Sequence, residues 1–207
     1  MTWQEFTALL VLATAMSFSP GPNTTLSTAL AANRGLRRAM PFVWSVPAGW
    51  GVLLGFCTLG LGALVVAVPL LGWAVKLVGV AYLLWLAVKV ARSRQLSQAD
   101  AAKLDVTFWQ GAALQFVNIK AWMLALAIVS GWIAGKHDAA LRFAVVLPVM
   151  LCFAFFSNLA YALIGSLLRD WLAGPAGSGQ RLVWFNRTMA LVLALTAVWM
   201  LFLGEQA

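Results

Sequence analysis

The chain has few charged residues, and acidic residues are the scarcest. Only 10% of its 207 residues are charged, with 6 Asp and Glu against 14 Lys and Arg, whereas an ordinary soluble domain carries about 25% charge. Hydrophobic residues make up 63% of the chain, and the mean hydropathy is +0.90. A chain this apolar lacks the polar surface that a soluble fold needs, so the composition predicts an integral membrane protein.

Cysteine and histidine are also scarce. The two cysteines, Cys57 and Cys152, lie inside apolar segments, and His137 is the only histidine. This spacing forms neither a disulfide framework nor a metal-ligand cluster. No nucleophile triad is visible either, so we expect no metal, no cofactor and no enzymatic activity.

The N-terminus lacks the basic residues of a secretory signal peptide, because the first five residues contain no Lys or Arg. We therefore expect the first apolar segment to be retained. The net charge of +8 does not predict a nucleic-acid partner, since Lys and Arg beside membrane spans usually set orientation and meet anionic lipid. The lipid bilayer is the expected partner.

Six long apolar segments are present, each expected to be a helix because backbone groups in lipid must bond within their own segment. Their predicted bounds are Trp3 to Ala32, Phe42 to Val66, Leu70 to Val90, Thr107 to Ala134, Phe143 to Leu168, and Leu182 to Leu203. A polar cytoplasmic linker, residues 91–106, divides the chain into two three-helix halves, residues 1–90 and 107–207. Within the first half, Ala67-Val68-Pro69 predicts a tight hairpin between segments 2 and 3.

The basic residues are distributed unevenly between the two sides of the membrane. Ten Lys and Arg flank the segments on one side, two lie on the other, and Lys76 and Lys120 fall within segments. The positive-inside rule places the ten-charge side in the cytoplasm. Both termini are therefore predicted to be periplasmic.

Segments 1 and 4 are each interrupted near mid-span by polar residues. FSPGPN (residues 18–23) breaks the first, and QFVNIK (residues 115–120) breaks the fourth. Three spans in each half make the second half run opposite to the first, which is the inverted repeat of many secondary transporters. The predicted fold class is therefore an all-α integral membrane protein with six transmembrane helices in a 3+3 inverted repeat.

The first break predicts a binding site. Pro20 and Pro22 remove backbone donors, and with Gly21 they should divide the segment into two half-helices. Helix ends carry partial charges that match the carboxylate and ammonium of an amino acid, and Ser19 and Asn23 flank them. The alternative is a proline kink that only aids bundle packing.

Lys120 and Asn118 in the second break are the other candidate substrate-binding residues. A lysine inside an apolar span is a functional candidate because its insertion is costly; alternatively, Lys120 snorkels to the cytoplasmic interface. No carboxylate lies mid-span, so Lys76 or Glu5 is a candidate for coupling or gating.

Further polar residues of segments 4 and 5 either bond helices together or line one cavity with Asn23 and Lys120. These residues are Gln115, Ser157, Asn158 and Tyr161. Gly51 and Gly55 predict close helix packing, with a homodimer face as a further possibility.

The chain resembles the LysE/RhtB amino-acid exporters of bacteria over nearly its whole length. The resemblance rests on four motifs: SPGPN from Ser19 to Asn23, the exit of segment 1 (Gly35, Arg37, Arg38, Ala39), Lys76 with Gly79 to Leu83, and Phe108, Gly111, Asn118 and Lys120-Ala121 in segment 4. It implies export of an amino acid or close derivative across the inner membrane, driven by the proton gradient. The family usually has Asn-Pro-Lys in segment 4, where this chain has Ile119, so the resemblance implies a second break that is weaker than the first.

The alternative function is that of a membrane thiol or electron carrier. Related inverted-repeat folds carry electrons through membrane thiols, and Cys57 with Cys152 would be the redox pair. Against it, neither cysteine lies beside a helix break, and a buried cysteine is usually a small apolar filler.

Overall fold

The computed structural model describes residues 1–62, 67–93, 104–174 and 179–202, and these residues form helices joined by short connections. The helices are α1 (Trp3–Phe18), α2 (Pro22–Arg34), α3 (Leu36–Thr58), α4 (Pro69–Arg92), α5 (Phe108–Val117), α6 (Ile119–Ile128), α7 (Ala139–Leu167), α8 (Arg169–Ala173) and α9 (Gln180–Phe202), with a π-helical turn (Val129–Ile133) after α6. Most of the predicted linker 91–106 lies outside the described residues.

Four of these helices are long and apolar enough to cross a membrane: α3, α4, α7 and α9. A fifth candidate span is the pair of α5 with the helical residues 119–133, which is bent by 68° at the break between them. At 16 and 13 residues, α1 and α2 are each shorter than the roughly 20 residues of a full span.

The loop after segment 1 is shorter than the sequence predicts. Gly35 alone separates α2 from α3, and its φ of 81° is a conformation that glycine adopts readily. The second segment therefore begins at Leu36 rather than Phe42, and Arg37 and Arg38 lie in the first turn of α3. The apolar pattern placed this boundary too late in the chain, because basic residues at a membrane surface lie in a helix as readily as in a loop.

The predicted tight hairpin between segments 2 and 3 is wrong. Helix α3 ends at Thr58 and α4 begins only at Pro69, and α4 packs mainly against α9. The choice of helix partner therefore depends on side-chain packing and not on closeness in sequence.

Helix α2 occupies the centre of the molecule although it is the least apolar of the helices that have ten or more residues. Eleven of its 13 residues are buried, among them Thr24, Thr25, Ser27 and Thr28, and it packs against α3, α7 and α9. Helix α1 buries only Leu9 and Ala13. The apolar helices thus surround a polar one, as expected when lipid rather than water is outside.

A buried amide network closes one end of this core. Asn33 of α2 and Asn186 of α9 exchange side-chain hydrogen bonds of 2.7 and 2.9 Å. Asn186 also donates to the Ser93 carbonyl at 2.8 Å, and the Ser93 hydroxyl donates to Asn33 at 2.9 Å. Three segments far apart in sequence are joined there, and both amides are paired.

Replacing Asn186 with leucine should lower the free energy of unfolding by about 1–3 kcal/mol, because the buried Asn33 amide would lose two of its hydrogen bonds and the Ser93 carbonyl would lose its donor. Thr188→Ala on the same helix is the matched control, since its exposed hydroxyl bonds only to the Trp184 carbonyl. Denaturant titration in detergent measures both variants. Equal stability of the two would contradict the structural role of the network.

Candidate functional site

The two helix breaks lie against each other. The Lys120 Nζ atom donates to the Ser19 carbonyl at 3.0 Å and to the Ser19 hydroxyl at 2.7 Å, across 101 residues of sequence. Asn23 and Gln115 exchange two amide hydrogen bonds of 2.9 and 3.1 Å. Residues from both predicted interruptions therefore form one polar cluster.

Local chemistry accounts for the first break. Helix α1 ends at Phe18, Ser19 is extended, and Pro22 is the first residue of α2, where a missing N–H is harmless. The Thr24 hydroxyl accepts from the Gly21 N–H at 3.0 Å and donates to the Gly21 carbonyl at 3.1 Å. Gly21 is extended, and a Cβ on it would lie 3.3 Å from Lys120 Nζ, so glycine leaves space for the lysine.

The second break is present although Ile119 replaces the proline of the family pattern. Asn118 is extended between α5 and α6, and its side chain accepts from the Lys120 N–H at 3.2 Å. This bond caps α6, because an asparagine at this position satisfies one of the unpaired amides of the first turn. An N-cap asparagine thus terminates one helix and begins the next without a proline.

A cavity of about 60 Å³ lies between the breaks. Of the seven predicted substrate-binding residues, all but Pro20 line it: Ser19, Gly21, Pro22, Asn23, Asn118 and Lys120. Ser157 and Asn158 of α7 line it as well, whereas Gln115 and Tyr161 support its wall. Tyr161 does so by donating to the Phe18 carbonyl at 2.9 Å.

Sequence reasoning missed the apolar wall of this cavity. Trp50 of α3, which is 5% exposed, lines it together with Ala121, Leu124 and Ala154. One signal was available, since Trp50 lies in mid-segment while tryptophans that anchor at the interface lie near segment ends.

Lys76 and Glu5 do not line the cavity. Lys76 Nζ donates to the Leu201 carbonyl at 3.2 Å and lies 4.9 Å from the centre of the Trp73 ring. Glu5 caps the start of α1 and lies 3.2 Å from Arg142. The coupling or gating roles of both residues stay predictions.

The two cysteines are free, and they differ in environment, since Cys57 is buried and Cys152 is exposed. Neither lines the cavity between the breaks. The structure therefore adds no support for a thiol redox pair.

Comparison with known proteins finds relatives that match most of the chain. The family model described as LysE type translocator matches residues 14–204. A cysteine/O-acetylserine efflux protein of Escherichia coli strain K12 is 32% identical over 194 residues, which is 91% of this chain and 90% of that protein. A protein of the same description from Shigella flexneri has the same identity and coverage.

No solved structure matches the chain. The family match covers most of the sequence, including both helix breaks, and translocators of this kind are transporters rather than enzymes. The chain belongs to the LysE type translocator family.

Proposed function

We propose that this protein exports a small amino acid or a close derivative across the bacterial inner membrane, and that it binds the substrate between the two helix breaks. The observation that carries the proposal is the convergence of Ser19 and Lys120 on one polar cavity in an otherwise apolar chain. An ionisable group at such a place usually belongs to a substrate or ion pathway.

The size of the cavity favours a short substrate. One water needs at least about 10–15 Å³ of such a volume, so the cavity, with Lys120 in place, holds only a few waters. That space suits an amino acid with a short side chain better than an aromatic or basic one. The description of the relatives as cysteine/O-acetylserine efflux proteins points to the same class.

The proposal includes an inverted-repeat architecture in which α1 with α2, and α5 with α6, are the two interrupted spans. In support, α1 and α5 both begin with a capping box, formed by Thr2 with Glu5 and by Thr107 with Gln110, and both end at a break. With α3, α4, α7 and α9 this makes six spans. Both termini are then periplasmic, and the proton gradient drives export.

Transport into inverted membrane vesicles tests the proposal. The wild type should accumulate labelled serine, cysteine or O-acetylserine in preference to phenylalanine or lysine, and an uncoupler should abolish the accumulation. Failure to transport any of these amino acids would contradict the proposed function.

Asn118→Ala should reduce the initial rate of export by about tenfold or more, because it removes both the cap of α6 and an amide of the cavity wall. Thr14→Ala on α1 is the control, since that exposed hydroxyl bonds only to the Leu10 carbonyl. Equal export by both variants would contradict the placement of the site while leaving the transport function intact.

A further inference from the structure

The ammonium group of Lys120 occupies the carboxyl end of α1. It contacts the carbonyl and the hydroxyl of Ser19, the residue directly after the last helical residue. Two neighbouring oxygens already have donors, since Tyr161 donates to the Phe18 carbonyl and the Ser19 hydroxyl donates to the Met16 carbonyl. A helix end of this kind carries partial negative charge, which attracts a cation.

Within the described part of the chain, no carboxylate forms an ion pair with Lys120. Glu5 and Asp138 pair with Arg142, and Asp105 pairs with Arg34. Lys120 is therefore held by neutral oxygens, which bind an ammonium less tightly than a carboxylate would. Another primary ammonium group can replace it without changing the charge of the site.

The start of α2, on the other side of the same break, offers unused donors. Among the described residues, the backbone N–H groups of Asn23 and Thr24 have no acceptor. Asn118 is only 2% exposed and lines the cavity, and its Nδ2 atom has no partner in that part of the chain either. These donors match a carboxylate, whereas the oxygens at the end of α1 match an ammonium.

We propose that the carboxyl end of α1, built around Ser19, is the subsite for the primary ammonium group of the transported molecule, and that Lys120 fills it when no substrate is bound. The inference rests on the proposed function and assigns an orientation to the substrate. The substrate ammonium displaces Lys120 from Ser19, and the substrate carboxylate faces Asn118 and the start of α2. After release, Lys120 returns to Ser19 and refills the subsite.

Chemical rescue tests the subsite. In purified Lys120→Ala, ethylammonium should bind in the vacated position and raise the midpoint of thermal unfolding. Its apparent affinity should be at least about tenfold higher than for the wild type, in which Lys120 competes. Tetramethylammonium at equal ionic strength is the control, because it has no N–H to donate to Ser19. Adding Ser19→Ala to Lys120→Ala should weaken the response to ethylammonium.

An equal response of wild type and Lys120→Ala to ethylammonium would overturn the inference. If Lys120→Ala does not fold, either with or without the amine, competition for export by the wild type tests the inference instead. The N-acetyl form of the transported amino acid has lost its ammonium and should compete for export at least about tenfold more weakly than the free form. Equal competition would also overturn the inference.

The two proposals fail separately. Suppose that ethylammonium stabilises Lys120→Ala but the wild type exports no amino acid. The ammonium subsite would then stand, and the proposed function would be wrong. Suppose instead that the wild type exports an amino acid, that ethylammonium does not stabilise Lys120→Ala selectively, and that the N-acetyl form competes equally. The proposed function would then stand, and only the ammonium subsite would be wrong.

Discussion

Gly49→Ala and Gly165→Ala should each strongly reduce the yield and thermal stability of the folded protein. A Cβ on Gly49 of α3 would lie 2.3 Å from the Ala112 carbonyl oxygen of α5, and one on Gly165 of α7 would lie 2.2 Å from the Thr28 carbonyl oxygen of α2. The obstructing atoms are backbone atoms, so no side-chain rotation can relieve either clash.

The expected loss of stability in Gly49→Ala and Gly165→Ala is the difference between two opposing effects. Overpacking a close helix contact costs about 1–3 kcal/mol and occasionally more, and separating α2 from α7 would also disturb the walls of the cavity. The better helix propensity of alanine returns roughly 1 kcal/mol at most. The cost of the clash therefore exceeds the gain in helix propensity, and we expect losses of stability of about 3 kcal/mol, the upper end of the overpacking range.

Gly55→Ala is the matched control, because Gly55 lies on the same helix as Gly49 and a Cβ added to it would have nothing within 4 Å. It should be as stable as the wild type or slightly more so. The midpoint of thermal unfolding in detergent, followed by circular dichroism, compares the three variants. A Gly49→Ala protein as stable as Gly55→Ala would contradict the α3–α5 contact.

Arg142→Met should release the N-terminal end of α1 and reduce both thermal stability and export. The Arg142 side chain is buried, its Nε lies 2.6 Å from Asp138, and its guanidinium lies 3.2 Å from Glu5. Trp132 adds a bond from its indole N–H to the Glu5 carbonyl at 2.7 Å. Since α1 buries few of its own residues, these contacts hold much of it in place.

We expect Arg142→Met to lower export several-fold, because it leaves Glu5 and Asp138 near each other without the guanidinium between them. Lys136→Met removes the same charge from an exposed position in the connection that precedes α7 and is the control. Vesicle transport and thermal unfolding should be measured on both variants. Equal export by both would show that these ion pairs do not position α1 for transport.

The stabilising effect of Arg142 should depend on pH with a defined sign. Hydrogen bonding from the Arg142 guanidinium holds the pKa of the Asp138 carboxyl below its ordinary value. A carboxylate with a lowered pKa stabilises the fold above its unfolded pKa of about 3.9, and this contribution is lost as the pH falls through the folded pKa. The stability difference between wild type and Arg142→Met should be full at neutral pH and shrink in acid.

The helix breaks show how much of the site can be predicted from the local sequence. Proline and glycine in FSPGPN predict an interruption near Ser19, and α1 ends one residue earlier, at Phe18. At the second break, the missing proline suggests a weaker interruption, yet Asn118 ends α5 and caps α6. The capping role of asparagine is readable from the sequence, but its use in mid-segment depends on the surrounding helices.

The close helix contacts at glycine could not be predicted from the local sequence. The spacing of Gly51 and Gly55 predicts close packing, but Gly55 has open space within the described chain and Gly51 meets only side chains of α7. Much closer backbone approaches occur at Gly49 and Gly165. Any glycine permits a close approach, and only the three-dimensional path of the neighbouring helix decides which glycine is used.

The membrane class, the positions of the helix breaks and the presence of a lone lysine in an apolar segment all follow from the sequence alone. They depend on properties that each residue carries with it, namely its hydropathy, a missing N–H or a charge. Tertiary packing was needed to establish that Lys120 meets Ser19, that Asn23 meets Gln115 and that α4 packs against α9. The partners in these contacts are far apart in sequence, and they meet only when the packing of whole helices brings them into contact.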